Sequence, residues 1–201
     1  MDREWKPMEI TTGVLSGRAG MTEYALRYPV AQEGAAAFDR WWLKQAEALR
    51  RRCIREGGQL PTHWAAEWQE TLQSPRAVSG FLDVSRRTGF ADWRLLRISA
   101  TFLAGEPRPA PLSALFLPGR QQQLQPLLEQ KLADLARQTE TPFYRCPAQG
   151  LPAALRSGGY YLTEEGLALW FPQESLAPRN AGLPTVLLPY AALEGLLRFS
   201  F

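Results

Sequence analysis

Residues 161–167 read Tyr-Leu-Thr-Glu-Glu-Gly-Leu, and this stretch decides how the C-terminal part of the chain folds. Short apolar runs at residues 160–162 and 167–171 lie on either side of its polar step. Two such runs joined by a short polar step predict a β-hairpin. Gly166 can adopt a positive φ without steric cost, so we expect the turn to use it in that conformation.

The segment after the hairpin predicts the rest of a C-terminal unit. Residues 172–184 contain three prolines and predict an irregular link. Residues 185–188 predict a strand, and the apolar run that begins at Tyr190 predicts a final helix. We therefore expect the chain to end in a hairpin, a strand and a helix.

The N-terminal half begins with two predicted strands and a long helix. The strands fall at residues 7–12 and 23–30, and a glycine-containing loop at 13–20 separates them. The helix starts at Gly34 and ends at Gly57, since glycine commonly terminates a helix. Its apolar residues recur at steps of three and four and form one stripe, consisting of Phe38, Trp42, Ala46, Leu49 and Cys53.

The middle of the chain predicts a short helix followed by a second hairpin. Residues 61–72 predict the helix, because Trp64 and Trp68 lie four residues apart and share a helical face. Alternating apolar residues at 77–85 and 91–103 predict two long antiparallel strands.

A second long helix is predicted at residues 125–138, and a short one at 151–156. The leucines expected to face inward are Leu124, Leu128, Leu132 and Leu135. Strands and helices interleave without βαβ regularity, so the predicted class is α+β, an antiparallel β-sheet packed by two long helices. We expect one domain over residues 1–201, with an N-terminal lobe at 1–110 and a C-terminal lobe at 111–201.

Composition and charge favour a globular domain and disfavour several functions. The net charge is +3 and hydrophobic residues make up 45% of the chain, which is ordinary for a soluble protein. No run approaches the ~20 apolar residues of a membrane helix, and residues 1–5 lack the apolar core of a secretory signal. The chain as written is expected in the cytoplasm, or outside it if the natural start lies upstream. The basic run at residues 44–55 is interpreted as a solvated helix face, so no nucleic-acid partner is predicted.

The residues that carry chemistry in other proteins do not form a recognisable site here. His63 is the single histidine, and its place beside Pro61 predicts a helix-cap role rather than a catalytic one. Cys53 and Cys146 lack metal-ligand spacing. Two separate buried thiols are favoured, with one disulfide as the alternative if the protein is exported. The sequence predicts no catalytic, cofactor-binding or metal-ligating residues.

The C-terminal residues resemble the signature of the RsiV-type domain family. The matching positions are Tyr161, Leu162, Thr163, Glu165, Gly166, Leu167, Phe171, Glu174, Ala177, Pro178, Ala181, Gly182, Pro189, Tyr190 and Leu193. That family includes the lysozyme-sensing part of the anti-sigma-V factor and the non-catalytic N-terminal half of the peptidoglycan deacetylase PdaC. The resemblance implies an α+β fold and a binding or sensor module without catalysis. The upstream hairpin turn of the family often carries a histidine, whereas residues 88–92 here read Thr-Gly-Phe-Ala-Asp.

These observations predict a ligand- or protein-binding, sensor-like domain linked to cell-envelope or lysozyme sensing. The candidate partner-binding residues are Trp64, Trp68, Glu164, Glu165 and Glu174. The expected partner is a protein or a cell-wall-derived ligand, and the positive net charge disfavours lysozyme, which is itself cationic. The alternatives are an uncharacterised hydrolase or carbohydrate-active enzyme, and an intracellular protein-interaction domain.

Overall fold

The computed structural model describes residues 8–32, 35–91, 93–138, 142–145 and 149–199. The strands in these residues are β1 (Ile10–Ala19), β2 (Thr22–Ala31), β3 (Thr62–Gln73), β4 (Ala77–Thr88), β5 (Arg94–Leu103), β6 (Gly159–Leu162), β7 (Gly166–Trp170) and β8 (Thr185–Pro189). The helices are α1 (Ala36–Arg55), α2 (Leu124–Ala136) and α3 (Leu151–Ser157). The predicted α+β class is confirmed.

The strands form two sheets. The first has five strands in the order β1-β2-β3-β4-β5, and the second has three in the order β6-β7-β8. Neighbouring strands run antiparallel except β2 and β3, which are parallel. Parallel neighbours need a crossover connection, and α1 supplies it. This one pair departs from the predicted antiparallel sheet, because α1 carries the chain back to the end of the sheet where β2 began.

The elements stack in four layers. The first helix, α1, covers one face of the five-stranded sheet, where Trp42 and Leu82 belong to one buried cluster. On the opposite face, Phe81 of β4 meets Tyr161 of β6 with ring centroids 4.8 Å apart. The other side of the small sheet is covered by α2, whose buried residues are Leu124, Leu128 and Leu132. The layers therefore run helix, large sheet, small sheet, helix.

Several predicted elements are confirmed. All five stripe residues of α1 are buried. The hairpin at β4 and β5 is present, and β4 continues to Thr88, beyond its predicted end. The C-terminal hairpin and the following strand are also present as β6, β7 and β8. The final helix is shorter than predicted, because only one 3-10 turn forms, at Tyr190–Leu193.

The predicted helix at residues 61–72 is wrong, because these residues form β3. A spacing of four is an even number, so Trp64 and Trp68 share one face of a strand as well as one face of a helix. Thr62, Trp64 and Ala66 are buried in strict alternation, which is the strand period. The chain pairs here with β2 on one side and β4 on the other, and those partners are distant in sequence.

The predicted loop at residues 13–20 is also wrong, since β1 runs through both of its first two glycines. A Cβ added at Gly13 would lie 2.6 Å from Cζ of Tyr28, and one at Gly17 would lie 2.6 Å from Oη of Tyr24. Because these glycines have no side chain, the rings of Tyr24 and Tyr28 on β2 can lie directly against the backbone of β1. The turn itself falls at Gly20, whose φ is +59°.

The small sheet joins the large one through polar groups at its edge strand. Strand β6 has a neighbour on one side only within its sheet. Side chains of the large sheet bind its free edge: the backbone N–H of Leu162 donates to Oγ of Ser79 at 2.8 Å, and its carbonyl accepts from Oγ1 of Thr71 at 2.6 Å. Ser79 also bonds to Thr101 at 2.7 Å. These bonds satisfy backbone groups that burial would otherwise leave unpaired.

Two further predictions concern cysteines and membranes. Cys53 is a fully buried free thiol on α1, whereas Cys146 lies outside the described residues. Within the described ranges, none of the helices is both long enough and apolar enough to cross a membrane.

Candidate functional site

Trp64 and Trp68 face α1 rather than solvent. Trp64 is only 2% exposed, and the guanidinium carbons of Arg52 and Arg86 lie 5.6 and 5.3 Å from its ring centroid. The ring centroid of Trp68 lies 4.7 Å from that of Trp42. Trp64 is therefore buried under α1, so it does not line an open groove as predicted. Trp68 is partly buried in the same cluster, and its role in binding a partner stays a prediction.

The three candidate glutamates do not lie together. Glu164 and Glu165 are exposed in the turn between β6 and β7. Glu174 follows the other end of β7, and a strand advances about 3.4 Å per residue. The β6–β7 turn and Glu174 are therefore at opposite ends of the small sheet, and they offer two separate surfaces.

Glu174 lies in a segment with unusual backbone geometry. Its φ is +67°, the one positive value among the described non-glycine residues. Its Oε2 accepts a hydrogen bond from Nη2 of Arg179 at 3.0 Å. The neighbouring Gln173 accepts from the backbone N–H of Leu95 at 3.2 Å and donates to the carbonyl of Arg179 at 3.1 Å. Gln173 therefore fixes this segment to the start of β5.

A cleft of about 500 Å³ opens between this segment and β5, and we call it the aromatic cleft. Its lining residues are Trp93, Leu95, Gln173, Arg179, Asn180 and Gly182. Trp93 is 44% exposed, and Phe90 in the same β4–β5 turn is fully exposed. The guanidinium carbon of Arg87 lies 5.9 Å from the Trp93 ring centroid, within reach of a cation–π interaction. The cleft thus combines exposed aromatic surface with two arginines.

His63 lies within β3, so its predicted role as a helix cap is wrong. Its Nδ1 is 3.4 Å from Oε2 of Glu23, and both side chains are more than half exposed. In the described ranges, no three or more His, Cys, Asp and Glu side chains are placed to hold a metal ion.

The comparisons with known proteins agree with this architecture. Residues 113–191 match a family described as "Protein of unknown function (DUF3298)", and this range contains α2, the small sheet and the Glu174–Arg179 segment. The whole fold is similar to a DUF3298 family member from Bacteroides fragilis NCTC 9343, with a TM-score of 0.68 and 12% identity over 99% of this chain and 96% of that one. It is also similar to a DUF3298 family protein from Pseudomonas aeruginosa PAO1, with a TM-score of 0.69 and 14% identity over 98% and 96% of the two chains. No curated protein matches the chain.

Of the candidate residues, only Glu174 belongs to the edge of the aromatic cleft. The cleft joins the start of β5 to a segment distant in sequence, so its lining could not be found by spacing along the chain. One local signal was present. Phe90 and Trp93 lie at the turn between two predicted strands, and exposed aromatic surface commonly marks an interaction site.

Proposed function

We propose that this chain is a non-catalytic, sensor-like binding domain and that its partner binds at the aromatic cleft. The observation that carries the proposal is that Trp93, which is 44% exposed, lines one cleft together with Arg179. Tryptophan and arginine are the residues that most often dominate binding energy at interfaces. Covering an exposed aromatic ring removes apolar surface from water, which favours association.

The segment opposite Trp93 supports the proposal because it is held in place before any partner arrives. Glu174 pairs with the guanidinium of Arg179, and Gln173 binds the carbonyl of the same residue. A side chain that is already ordered loses less entropy on binding. The positive φ of Glu174 adds a second indication, because strained backbone concentrates at ligand-binding and catalytic sites.

The partner that we propose is a protein or a cell-wall-derived ligand, with a role in cell-envelope sensing. The support is the RsiV-type resemblance of the C-terminal residues. The Arg87 guanidinium beside the Trp93 ring favours a partner that carries carboxylates, as muropeptides and acidic protein surfaces do. Lysozyme is the weaker candidate, since its own surface is cationic.

A retention experiment tests the proposal. The immobilised chain is exposed separately to purified muropeptides, lysozyme, cytosolic lysate and envelope extract. We expect retention of muropeptides or of an envelope protein, with binding weakened about tenfold or more in Trp93→Ala, as for a central interface residue. Tyr144→Ala is the matched control, because Tyr144 has the same 44% exposure and does not line the cleft.

The other outcomes separate the alternatives. Equal weakening by Trp93→Ala and Tyr144→Ala would place the contact outside the cleft. Retention from the cytosolic lysate alone would favour an intracellular interaction domain. Cleavage of muropeptides that is lost in His63→Ala would favour the hydrolase alternative. Failure of the folded chain to retain any of the four samples would remove the support for a binding function.

A further inference from the structure

A second cleft lies at the opposite end of the β4–β5 hairpin. It has a volume of about 740 Å³ and opens where β4 begins and β5 ends, and we call it the arginine cleft. Its walls come from Leu103, the loop at residues 104–111, and the C-terminal residues 198–199. Strands β4 and β5 are each ten or more residues long and advance about 3.4 Å per residue, so the two ends of the hairpin lie far apart. The arginine cleft is thus a surface separate from the aromatic cleft.

Positive charge dominates the lining. The lining includes three guanidinium groups, those of Arg76, Arg108 and Arg198, and one carboxylate, that of Glu106. Arg108 and Arg198 are exposed, and among the described residues neither forms an ion pair. Unneutralised guanidinium groups around a concavity attract anions, because the low-dielectric walls focus the field.

The backbone around the cleft is fixed by hydrogen bonds. The N–H of Ala110 donates to the carbonyl of Thr101 at 2.8 Å, and the carbonyl of Ala110 accepts from Oη of Tyr160 at 2.6 Å. The N–H of Ala104 donates to the carbonyl of Arg76 at 2.8 Å. On the other wall, the N–H of Arg198 donates to the carbonyl of Leu115 at 2.8 Å. The loop and the C-terminal wall therefore hold their positions relative to the large sheet.

The rest of the lining is apolar. Leu103, Pro109, Pro111 and Phe199 contribute hydrocarbon surface, and small alanine side chains leave the space open. The guanidinium carbon of Arg198 lies 5.5 Å from the Phe199 ring centroid, so charge and apolar surface adjoin each other. Ligand sites commonly combine apolar walls with a few polar groups that fix orientation.

We propose that the arginine cleft binds a small amphiphilic anion, a carboxylate or phosphate group on a short apolar body. Arg108 and Arg198 bind the anionic group, because a guanidinium presents paired N–H donors that match the oxygens of carboxylate and phosphate. The apolar body packs on Phe199 and the proline-containing loop. Glu106 excludes ligands with a second anionic group on that side.

Isothermal titration calorimetry on the full chain tests this with defined probes. Phenylacetate and phenyl phosphate carry the anion on an aromatic body, phenylacetamide is the uncharged analogue, and inorganic phosphate lacks the body. We expect both aromatic anions to compete for one site, phosphate alone to bind more weakly, and the amide not to bind. A preference between the two aromatic anions identifies the natural ligand as a carboxylate or a phosphate.

Variants locate the binding. Arg108→Gln and Arg198→Gln should each weaken the preferred anion about tenfold, the loss expected for one charge-assisted hydrogen bond. Arg55→Gln removes an equal charge at the end of α1, in a residue that lines neither cleft, and should leave affinity unchanged. Higher salt should also weaken binding.

Three results would overturn the proposal. The first is equal affinity for phenylacetate and phenylacetamide. The second is equal weakening by Arg55→Gln and Arg108→Gln. The third is the absence of binding by any aromatic anion while circular dichroism shows a folded chain.

Discussion

Glycine at position 166 sets how closely β7 approaches β8. A Cβ at this residue would lie 2.1 Å from the carbonyl oxygen of Leu188. The turn before it does not use a positive φ at Gly166, contrary to the sequence-based expectation. Instead, Oγ1 of Thr163 accepts hydrogen bonds from the N–H groups of Glu165 and Gly166, at 3.2 and 3.1 Å. The sequence indicated that glycine is needed here, but the reason is a close backbone contact.

This contact predicts the effect of the smallest possible side chain. Gly166→Ala should lower the free energy of unfolding by about 3 kcal/mol, the upper end for overpacking, because the obstructing atom belongs to the backbone and cannot rotate away. Chemical denaturation measures the change. Gly58→Ala is the control, since nothing lies within 4 Å of a Cβ added at Gly58. Its effect should stay within about 0.5 kcal/mol, and equal losses in the two variants would contradict the argument.

Burial also governs the chemistry of Cys53. Desolvation raises the pKa of its thiol from the usual 9.0 to about 11. In a Cys146→Ser background, iodoacetamide should therefore label Cys53 at pH 8 only after denaturation, as mass spectrometry would show. The unfolded thiol loses its proton at lower pH than the folded one, so its contribution to stability is complete below pH 9 and disappears as pH rises through about 11. Stoichiometric labelling of the native chain would contradict this prediction.

At the scale of elements, β3 shows why local pattern can mislead. Trp64 and Trp68 fit both the helical and the strand periods, so their spacing cannot decide between them. What decides is the pair of neighbours, because β2 and β4 satisfy the backbone on both sides. Those partners are remote in sequence. The helix α1 could be predicted because its long apolar stripe fits the helical period and does not fit the strand period.

The edge strand β6 depends on side chains of the other sheet. Ser79 is 1% exposed, and its Oγ is the acceptor for the backbone N–H of Leu162. Removing that acceptor leaves the buried N–H of Leu162 unpaired, which lowers the free energy of unfolding by more than an average hydrogen bond contributes.

Ser79→Ala should therefore destabilise the fold by about 1–3 kcal/mol, as measured by urea denaturation. Thr101→Val is the matched variant, because it removes a hydroxyl from the same buried pair while Ser79 still accepts from Leu162. We expect the smaller loss from Thr101→Val. A larger loss from Thr101→Val than from Ser79→Ala would show that the joint does not depend on the β6 backbone.

At the scale of the whole molecule, the sequence predicted the class and most elements but not their arrangement. The α+β class follows from periodicity, which is local. The parallel pairing of β2 with β3, the four-layer stacking and the aromatic cleft all depend on contacts between distant segments. Trp93 and Arg179 line the same cleft, and Gln173 ties the segment of Arg179 to the start of β5. No spacing along the chain records that contact, so the site had to come from the structure.

One ion pair of the large sheet, between Asp83 on β4 and Arg97 on β5, lies on the face that the small sheet covers and offers a test of how the sheets are joined. The Nε and Nη2 atoms of Arg97 donate to the two carboxylate oxygens of Asp83 at 2.6 and 2.7 Å. The Arg97 guanidinium carbon lies 3.7 Å from the ring centroid of Phe81 and 5.6 Å from that of Tyr161 on β6. The side chain of Arg97 is 10% exposed and that of Asp83 is 43% exposed. The small sheet therefore buries the cation and leaves the anion partly in water.

Because Arg97 is buried and Asp83 is partly exposed, removing one side chain should lower the free energy of unfolding by a different amount than removing the other. Asp83→Ala leaves a buried guanidinium without its ion-pair partner, so it should lower the free energy of unfolding by about 3 kcal/mol. Arg97→Met keeps an apolar stem on Phe81, and Asp83 regains water, so the loss should be about 1 kcal/mol. Urea denaturation at neutral pH measures both, and the opposite order would contradict the burial of Arg97 between the sheets. If the order holds, the cost of Asp83→Ala reports in part the docking of the small sheet, because Tyr161 of β6 and Phe81 of β4 together keep water from the guanidinium.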